Sequence, residues 1–330
     1  MTNPILKYLS KNQFIAALLL IALGWLLYLI RNILVAFFLA YIVMAALATP
    51  VEFLKRRRIP KILAVFIVYF ATVIFLVMLI VPLIPFFAAQ IESLFVRFPV
   101  YVDEVARLFK LKVDSSQINS IITSELATIG PNALGLTQQV FGGLFSILTI
   151  LIVSFYLLID RDRIKKGLAS LFPKENESQV LSTLVQIEDK LGAWLRGQIF
   201  LSLSIGVLTW FALTILGLDF ALPLALLAGM LEIAPTIGPI LSSVPGIIVA
   251  LTITPTMAIT VTLVYFVIQT VENNFLVPRI MARAVGLHPL VIILGIIIGG
   301  ELMGVIGALL SVPFITMIII IFHNIKTLPK

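Results

Sequence analysis

Residues 220–251 read FALPLALLAGMLEIAPTIGPILSSVPGIIVAL, two apolar pieces on either side of a break that contains an acid, two prolines and a glycine. Each piece, Phe220–Leu231 and Ile240–Leu251, is twelve residues long. Twelve helical residues rise about 18 Å, whereas the hydrocarbon core of a bilayer is about 30 Å thick. The stretch therefore predicts a re-entrant helical hairpin that dips into a membrane from outside. Broken backbone at that depth requires surrounding protein or a water-filled cavity.

The overall composition is that of a protein that crosses a membrane several times. Of the 330 residues, 61% are hydrophobic and 12% are charged, whereas a typical globular protein has about 25% charged residues. Apolar runs that approach or exceed the roughly 18 residues needed to cross a bilayer predict full spans at Phe14–Ile30, Ile33–Thr49, Ile62–Val81, Val140–Ile159, Ile199–Leu218 and Met257–Val271. The chain is predicted to be an all-α polytopic membrane protein.

The distribution of charge predicts the orientation of these spans. The formal net charge is +7, and Lys and Arg cluster between apolar runs, as they do in cytoplasmic loops. Residues 160–198 hold seven basic residues, and five lie between the second and third spans: Lys55, Arg56, Arg57, Arg58 and Lys61. Residues 82–139 carry four basic and five acidic residues, which permits an outer location. Both termini are then predicted to be cytoplasmic.

These features divide the chain into four regions. Residues 1–81 hold three spans, and residues 82–139 form an extracytoplasmic helical segment. Residues 140–198 hold the fourth span and cytoplasmic helices, and residues 199–330 form a transport core. Apolar residues at helical spacing predict amphipathic helices outside the membrane at 91–109 and 181–194. Such helices could lie on the bilayer surface, pack on the protein or join subunits.

A second interrupted element lies near the C-terminus. Residues 290–323 contain a short apolar arm, the break GGELMG at residues 299–304 and a longer apolar run. They predict a second, lopsided hairpin that enters the membrane from the face opposite to residues 220–251. Two elements interrupted by Gly or Pro in this way are typical of secondary transporters built from inverted repeats. The pattern therefore indicates a transporter.

Missing residue types argue against other classes of function. The chain has no cysteine and two histidines, so thiol chemistry and Cys-based zinc sites are excluded and no metal site is expected. Walker A, G-x-G-x-x-G and G-x-S-x-G patterns do not occur. The basic residues are not interleaved with aromatic residues as on nucleic-acid-binding surfaces. We therefore expect no enzyme activity, no cofactor and no nucleic-acid partner.

The candidate functional residues lie in the two breaks. Glu232 and Glu301 each sit in one break, and a carboxylate at membrane depth is costly unless it faces a cavity or a partner. Such groups suit proton exchange. The alternative is that each carboxylate caps a broken helix end or pairs with Arg279 or Arg283. The break around Glu232 also contributes three candidate residues, namely Pro235, Gly238 and Pro239.

Further candidates lie at the ends of spans. Glu272, Asn273 and Asn274 could supply oxygen atoms to a cation or a polar solute, and the alternative is an interfacial helix end. Arg196 and Gln198 stand at the start of a span, where they could contact lipid phosphate or hold the inner face closed. A positive-inside anchor is the simpler interpretation of Arg196. Arg279 joins them as a gating or anchoring candidate.

These positions carry a resemblance to a known family. The ordered motifs are Phe155–Asp160, Leu195–Gln198, Glu232–Pro239, Glu272–Asn274, Val277–Ile280 and Val285–Pro289, followed by Gly299, Gly300, Gly304 and Gly307. With them the sequence resembles the autoinducer-2 exporter family, also called the PerM-like permeases. It departs from the family pattern at Ile233, Ala234 and Thr236, which bears on the width or selectivity of a solute path.

The resemblance implies a bacterial inner-membrane protein with about eight transmembrane segments that forms a homo-oligomer. Members are linked to export of autoinducer-2, and others are similar to sodium(lithium)/proton antiporters. The first hypothesis is therefore a proton-driven exporter of a small polar metabolite such as autoinducer-2, with Glu232 and Glu301 as proton carriers. The second is an antiporter that uses the same carboxylates with Asn273 and Asn274. The third is a membrane scaffold without transport. The expected partners are a small-molecule or ion substrate and membrane lipids.

Overall fold

The described part of the chain is helical throughout. The computed structural model describes residues 13–78, 107, 133–233, 237–281 and 288–325. Its helices are α1 (Gln13–Leu29), α2 (Arg31–Arg56), α3 (Lys61–Met78), α4 (Ala133–Ile159), α5 (Arg161–Ala169), α6 (Lys174–Ile215), α7 (Ala221–Leu231), α8 (Ile237–Ile253), α9 (Pro255–Met281) and α10 (Pro289–Ile325). These residues contain no strand, and the prediction of an all-α protein is confirmed.

The helices have the length and surface of membrane spans. In the described ranges, α2, α3, α6, α9 and α10 are long and apolar enough to cross a membrane, and shorter apolar helices lie at Leu20–Leu29, Phe145–Ile159, Ala221–Leu231 and Gly238–Ile253. Large apolar side chains such as Trp25, Phe70 and Phe145 are more than half exposed. An outer surface of this kind suits contact with lipid rather than water. The chain is a multi-pass membrane protein, as predicted.

Helix α6 joins two elements that the sequence predicted separately. The amphipathic stripe at 181–194 and the span from Ile199 form one helix of 42 residues, about 63 Å long. On the stripe, Ile187, Leu191 and Trp194 are buried, and they pack against residues of α2 and α10. The stripe therefore packs on the protein itself. The other predicted stripe, 91–109, lies outside the described residues apart from Arg107.

The first predicted hairpin is formed by α7 and α8. Helix α7 packs along α6 so closely that a Cβ atom at Gly229 would lie 2.8 Å from the Ser202 carbonyl oxygen. Helix α8 packs against α9. It begins at Ile237, so Gly238 and Pro239 lie in its first turn and not in the break as predicted. Proline is tolerated there because the first-turn N–H groups have no partner within the helix. Pro235 lies outside the described residues.

The second predicted hairpin is formed by the two arms of α10. The helix is interrupted at Met303 and Gly304, and Gly304 has a φ of 63°, a left-handed conformation that glycine adopts readily. The arms fold back on each other at Gly299 and Gly307, where a Cβ atom on either residue would collide with the carbonyl oxygen of the other. Only glycine permits so close an approach, which explains the small residues near the predicted break.

Candidate functional site

Two buried carboxyl groups form the centre of the site. Glu232 follows the last residue of α7, and Glu272 lies in α9; the two residues are 1% and 4% exposed. Their carboxyl groups lie close enough to interact directly. Because two ionised carboxylates this close repel each other in a buried site, the pair is more stable when one of the two groups carries a proton. The sequence predicted Glu232 as a buried acid, but it did not predict that Glu272 is its partner.

A local widening of α9 accompanies the position of Glu272. Glu272–Leu276 form a π-helical stretch, and π-helical turns inside α-helices are frequent at functional sites. Gln269 donates from Nε2 to Glu272 Oε2 over 3.1 Å. This bond fixes the orientation of the carboxyl group that meets Glu232.

Of the predicted oxygen cluster, Glu272 and Asn273 line one cavity, and Asn274 is not among the residues that line it. Asn273 and Asn274 are exposed while Glu272 is buried, because successive helical residues point in different directions. The side chain of Asn274 donates from Nδ2 to the Thr270 carbonyl oxygen over 2.8 Å. Asn273 instead lines a cavity next to Glu272.

Gln198 connects the hairpin break to α6. Its Nε2 donates to the backbone carbonyl of Glu232 over 2.7 Å, and the side chain is buried. One carboxyl oxygen of Glu232, Oε2, is buried without a hydrogen-bond partner among the described residues. Gln198 therefore holds the backbone of Glu232 in place while part of its carboxyl group stays unpaired.

A cavity of about 300 Å³ lies between α6, α8 and α9, next to the carboxyl pair. Ile240 and Phe266, on its wall, are 65% and 69% exposed, so the cavity reaches the lipid-facing surface. Pro239, one of the predicted site residues, also lines it. Among the described residues, those that line the cavity include no Lys, Arg or His. Its polar lining residues are Thr209, Ser242, Ser243, Thr262, Tyr265, Gln269, Glu272 and Asn273.

Arg196 satisfies a carbonyl group in α2 that a proline leaves free. Pro50 lies inside α2 and has no N–H to donate to the Ala46 carbonyl one turn earlier. Arg196 Nη1 donates to that carbonyl oxygen over 3.0 Å and lies 3.4 Å from the Ala45 carbonyl oxygen. In the described structure, the predicted gating or anchoring residue thus joins α6 to α2.

Loss of this contact is expected to destabilise the protein in a way that depends on Pro50. Arg196→Met should lower the free energy of unfolding by about 2 kcal/mol, the usual size of a hydrogen bond to a charged group. In a Pro50→Ala background the Ala46 carbonyl regains a partner within its own helix. Arg196→Met should therefore lower the free energy of unfolding by a smaller amount in that background. Thermal unfolding of the four purified proteins in detergent measures both costs. Equal costs in the two backgrounds would contradict this role of Arg196.

Two other predicted site residues lie apart from the carboxyl pair. Glu301 is exposed, two residues before the interruption of α10. Arg279 is also exposed, with its guanidinium 5.9 Å from the centre of the Phe275 ring. Neither pairs with Glu232, and the ion pairs among the described residues do not involve Glu232 or Glu272. Arg283 lies outside the described residues.

A network of ion pairs around α5 was not predicted from the sequence. Glu188 of α6 is buried, and its Oε2 accepts from Arg161 at 2.7 Å and from Lys165 at 3.1 Å. Arg161 also pairs with Glu52 of α2 at 2.6 Å. Glu188 lies four residues after Leu184 and three before Leu191, which places an acid on the apolar face of the helix. That spacing was the available signal for a buried charge.

The same network extends to α3. Lys61 Nζ lies 3.3 Å from Asp162 Oδ2. Partial burial acts to raise the pKa of the Asp162 carboxyl, but the positive charges of Lys61, Lys165 and Arg161 together outweigh it and lower this pKa below its ordinary value. The pair therefore adds stability at neutral pH, and that contribution is lost as the pH falls through the lowered pKa. Helices α2, α3, α5 and α6 are tied together at this end of the protein.

Comparison with known proteins identifies the class. A bundle of apolar spans with two broken hairpins and a buried acidic pair beside a cavity is typical of membrane transport proteins. Residues 15–327 match the family described as AI-2E family transporter. The chain belongs to this family, which confirms the resemblance seen in the sequence.

Similar proteins are found in several bacteria. The AI-2 transport protein TqsA of Escherichia coli (strain K12) is 30% identical over 86% of this chain and 83% of its own length. The protein YueF of Bacillus subtilis (strain 168) is 27% identical over 85% of this chain and 81% of its own length. YrrI from the same strain is 34% identical over 50% of this chain and 47% of its own length. These matches support a general role in transport.

Proposed function

We propose that the protein is a proton-driven exporter of a small polar metabolite, with autoinducer-2 as the first candidate substrate. The observation that carries the proposal is the close approach of the buried carboxyl groups of Glu232 and Glu272. The AI-2 transport protein TqsA is similar along most of this chain, which supports autoinducer-2 as a substrate to test.

The carboxyl pair has the properties of a proton carrier. Two carboxylates in contact cannot both be ionised without strong repulsion, so the pair retains one proton while the contact lasts. The two groups belong to different elements, the end of α7 and the middle of α9. A movement of the α7–α8 hairpin relative to α9 would separate the two carboxyl groups. Each could then be ionised without repulsion from the other, so the shared proton would be released. Alternate exposure of the pair to the two sides then couples proton entry to solute exit.

The surroundings of the pair favour a proton over a bound metal cation. Within the described ranges, no group of three or more His, Cys, Asp or Glu residues is arranged to hold a metal ion. The amides of Gln198 and Gln269 present N–H groups to the Glu232 carbonyl and to the Glu272 carboxyl group. The Gln269 N–H group occupies a position beside Glu272 Oε2 where it stabilises an ionised oxygen and disfavours a cation. Sodium(lithium)/proton exchange remains the competing hypothesis.

The proposal includes an orientation and an assembly. We place the protein in the inner membrane of a bacterium with the α5 end of the bundle and both termini in the cytoplasm. The basic residues between the second and third spans support this orientation. The large exposed apolar surface supports contact with lipids and with further copies of the chain in a homo-oligomer.

Flux in proteoliposomes tests the proposal. The purified full-length protein should move autoinducer-2 faster when a proton gradient is imposed than when it is absent. Collapse of the gradient with a protonophore should return the flux to its basal rate. If autoinducer-2 does not move, but added sodium or lithium dissipates a preformed pH gradient, the antiporter hypothesis replaces this one. Vesicles that show neither activity would favour a scaffold.

A further inference from the structure

The cavity beside the carboxyl pair contains a threonine hydroxyl without a partner. Thr209 of α6 lines the cavity and is 1% exposed, yet its Oγ1 has no hydrogen-bond partner among the described residues. A threonine in a helix commonly donates to the carbonyl four residues earlier. That bond is made by Thr72, Thr260, Thr262, Thr270 and Thr316. The hydroxyl of Thr209 does not make it, although Ile205 offers a carbonyl at the corresponding position.

A tyrosine hydroxyl in the same cavity is also unpaired. The OH group of Tyr265 of α9 is buried and has no hydrogen-bond partner within the described structure. It faces Gly246 of α8, where an added Cβ atom would lie 2.8 Å from the tyrosine oxygen. The absence of a side chain at Gly246 therefore makes room for this hydroxyl. Buried polar groups are nearly always hydrogen-bonded. Two unpaired hydroxyls on residues that line the same cavity therefore point to a ligand that supplies the missing partners once these side chains turn towards it.

The rest of the lining limits the chemistry of that ligand. Ile205, Ile247 and Phe266 give the wall a largely apolar surface. The lining residues include Glu272 and, within the described ranges, no basic residue. An anionic solute would lose its hydration without gaining a counter-charge, which is unfavourable in an apolar site. The cavity, at about 300 Å³, has room for a molecule of the size of a pentose.

We infer that Thr209 and Tyr265 determine substrate specificity by hydrogen bonding to the oxygen atoms of an uncharged, hydroxylated solute with one apolar edge. The binding follows from the geometry of the cavity, and its use in transport rests on the function proposed above. The two residues approach the cavity from α6 and α9. A solute that bridges them would therefore contact both the helix that supports the hairpin and the helix that carries Glu272.

Binding to the purified full-length protein in detergent, measured by calorimetry, tests this inference. The probes are autoinducer-2, ribose and, as an anion of similar shape, ribose 5-phosphate. The variants are Thr209→Val and Tyr265→Phe, each of which removes one hydroxyl and leaves the shape nearly unchanged. The matched control is Thr260→Val, because Thr260 of α9 is not among the residues that line the cavity and donates to the Thr256 carbonyl over 2.9 Å.

Each hydroxyl removal should weaken binding of the uncharged probe about fivefold, the size of one neutral hydrogen bond. The control should bind as the wild type does, and ribose 5-phosphate should bind least. Equal affinities in wild type, Thr209→Val and Tyr265→Phe would overturn the inference even if proton-driven flux is intact. A wild type that binds neither autoinducer-2 nor ribose would also overturn it. Hydroxyl-dependent binding without gradient-dependent flux would instead contradict the proposed function and leave this inference standing.

Discussion

Replacing Glu232 or Glu272 by glutamine is expected to make solute flux independent of the proton gradient. The amide has nearly the shape of the carboxyl group, but it does not take up or release a proton at the pH values of a flux measurement. Either change leaves a single buried carboxyl group that can pair with an amide without sharing a proton. In proteoliposomes, the rate with an imposed gradient should therefore fall to the rate without one. The dependence of the rate on internal pH should disappear with it.

A matched control separates this effect from a general loss of charge in the hairpins. Glu301 also lies at a hairpin interruption, but it is exposed. Glu301→Gln should therefore keep the gradient dependence of the wild type. Circular dichroism and size-exclusion chromatography are used to check that all three variants are folded. Gradient-driven flux that survives in both Glu232→Gln and Glu272→Gln would show that the pair does not carry the proton. Loss of the gradient response in Glu301→Gln alone would return the coupling role to Glu301.

The pairing of these two acids also shows which part of the site could be predicted from the sequence. The buried position of Glu232 followed from apolar pieces too short to cross a membrane, a local property of the chain. Its partner lies 40 residues further along, beyond α8 and most of α9. No local pattern reports which helix will pack against the break. From the sequence, Glu232 was therefore predicted to act together with Glu301, the acid in the equivalent break. In the structure, Glu232 lies next to Glu272 instead.

Other contacts were hidden for related reasons. Pro50 was visible inside a predicted span, and a free carbonyl at Ala46 follows from it. Arg196 supplies the missing donor from 150 residues away, and this contact depends on the packing of α6 on α2. The hydroxyl of Thr209 was equally visible, but only the side-chain conformations show that it does not bond to its own helix. Helices and breaks are local features, and the site consists of contacts between them.

The second large effect is expected on stability, from Glu188→Gln. Glu188 is 2% exposed, while the side chains of its partners Arg161 and Lys165 are 15% and 13% exposed. Removing one member of a fully buried ion pair costs about 3–5 kcal/mol, because the remaining charge stays buried without compensation. The partners here keep some contact with water, so we expect a loss of about 2–3 kcal/mol in the free energy of unfolding. Thermal and denaturant unfolding in detergent measure it.

Comparison with Glu52 tests whether the loss of stability comes from the burial of Glu188. Glu52→Gln removes the other carboxylate bound to Arg161, at the shorter distance of 2.6 Å, but its side chain is 49% exposed. An exposed pair contributes about 1 kcal/mol at most, so distance alone would rank the two changes in the wrong order. Both substitutions remove one negative charge from a helix and keep a similar helix propensity. A loss for Glu188→Gln no larger than that for Glu52→Gln would mean that Glu188 does not hold α5 to α6. If the loss for Glu188→Gln is two to three times larger than that for Glu52→Gln, burial of the carboxylate between two cations is what stabilises the contact of α5 with α6.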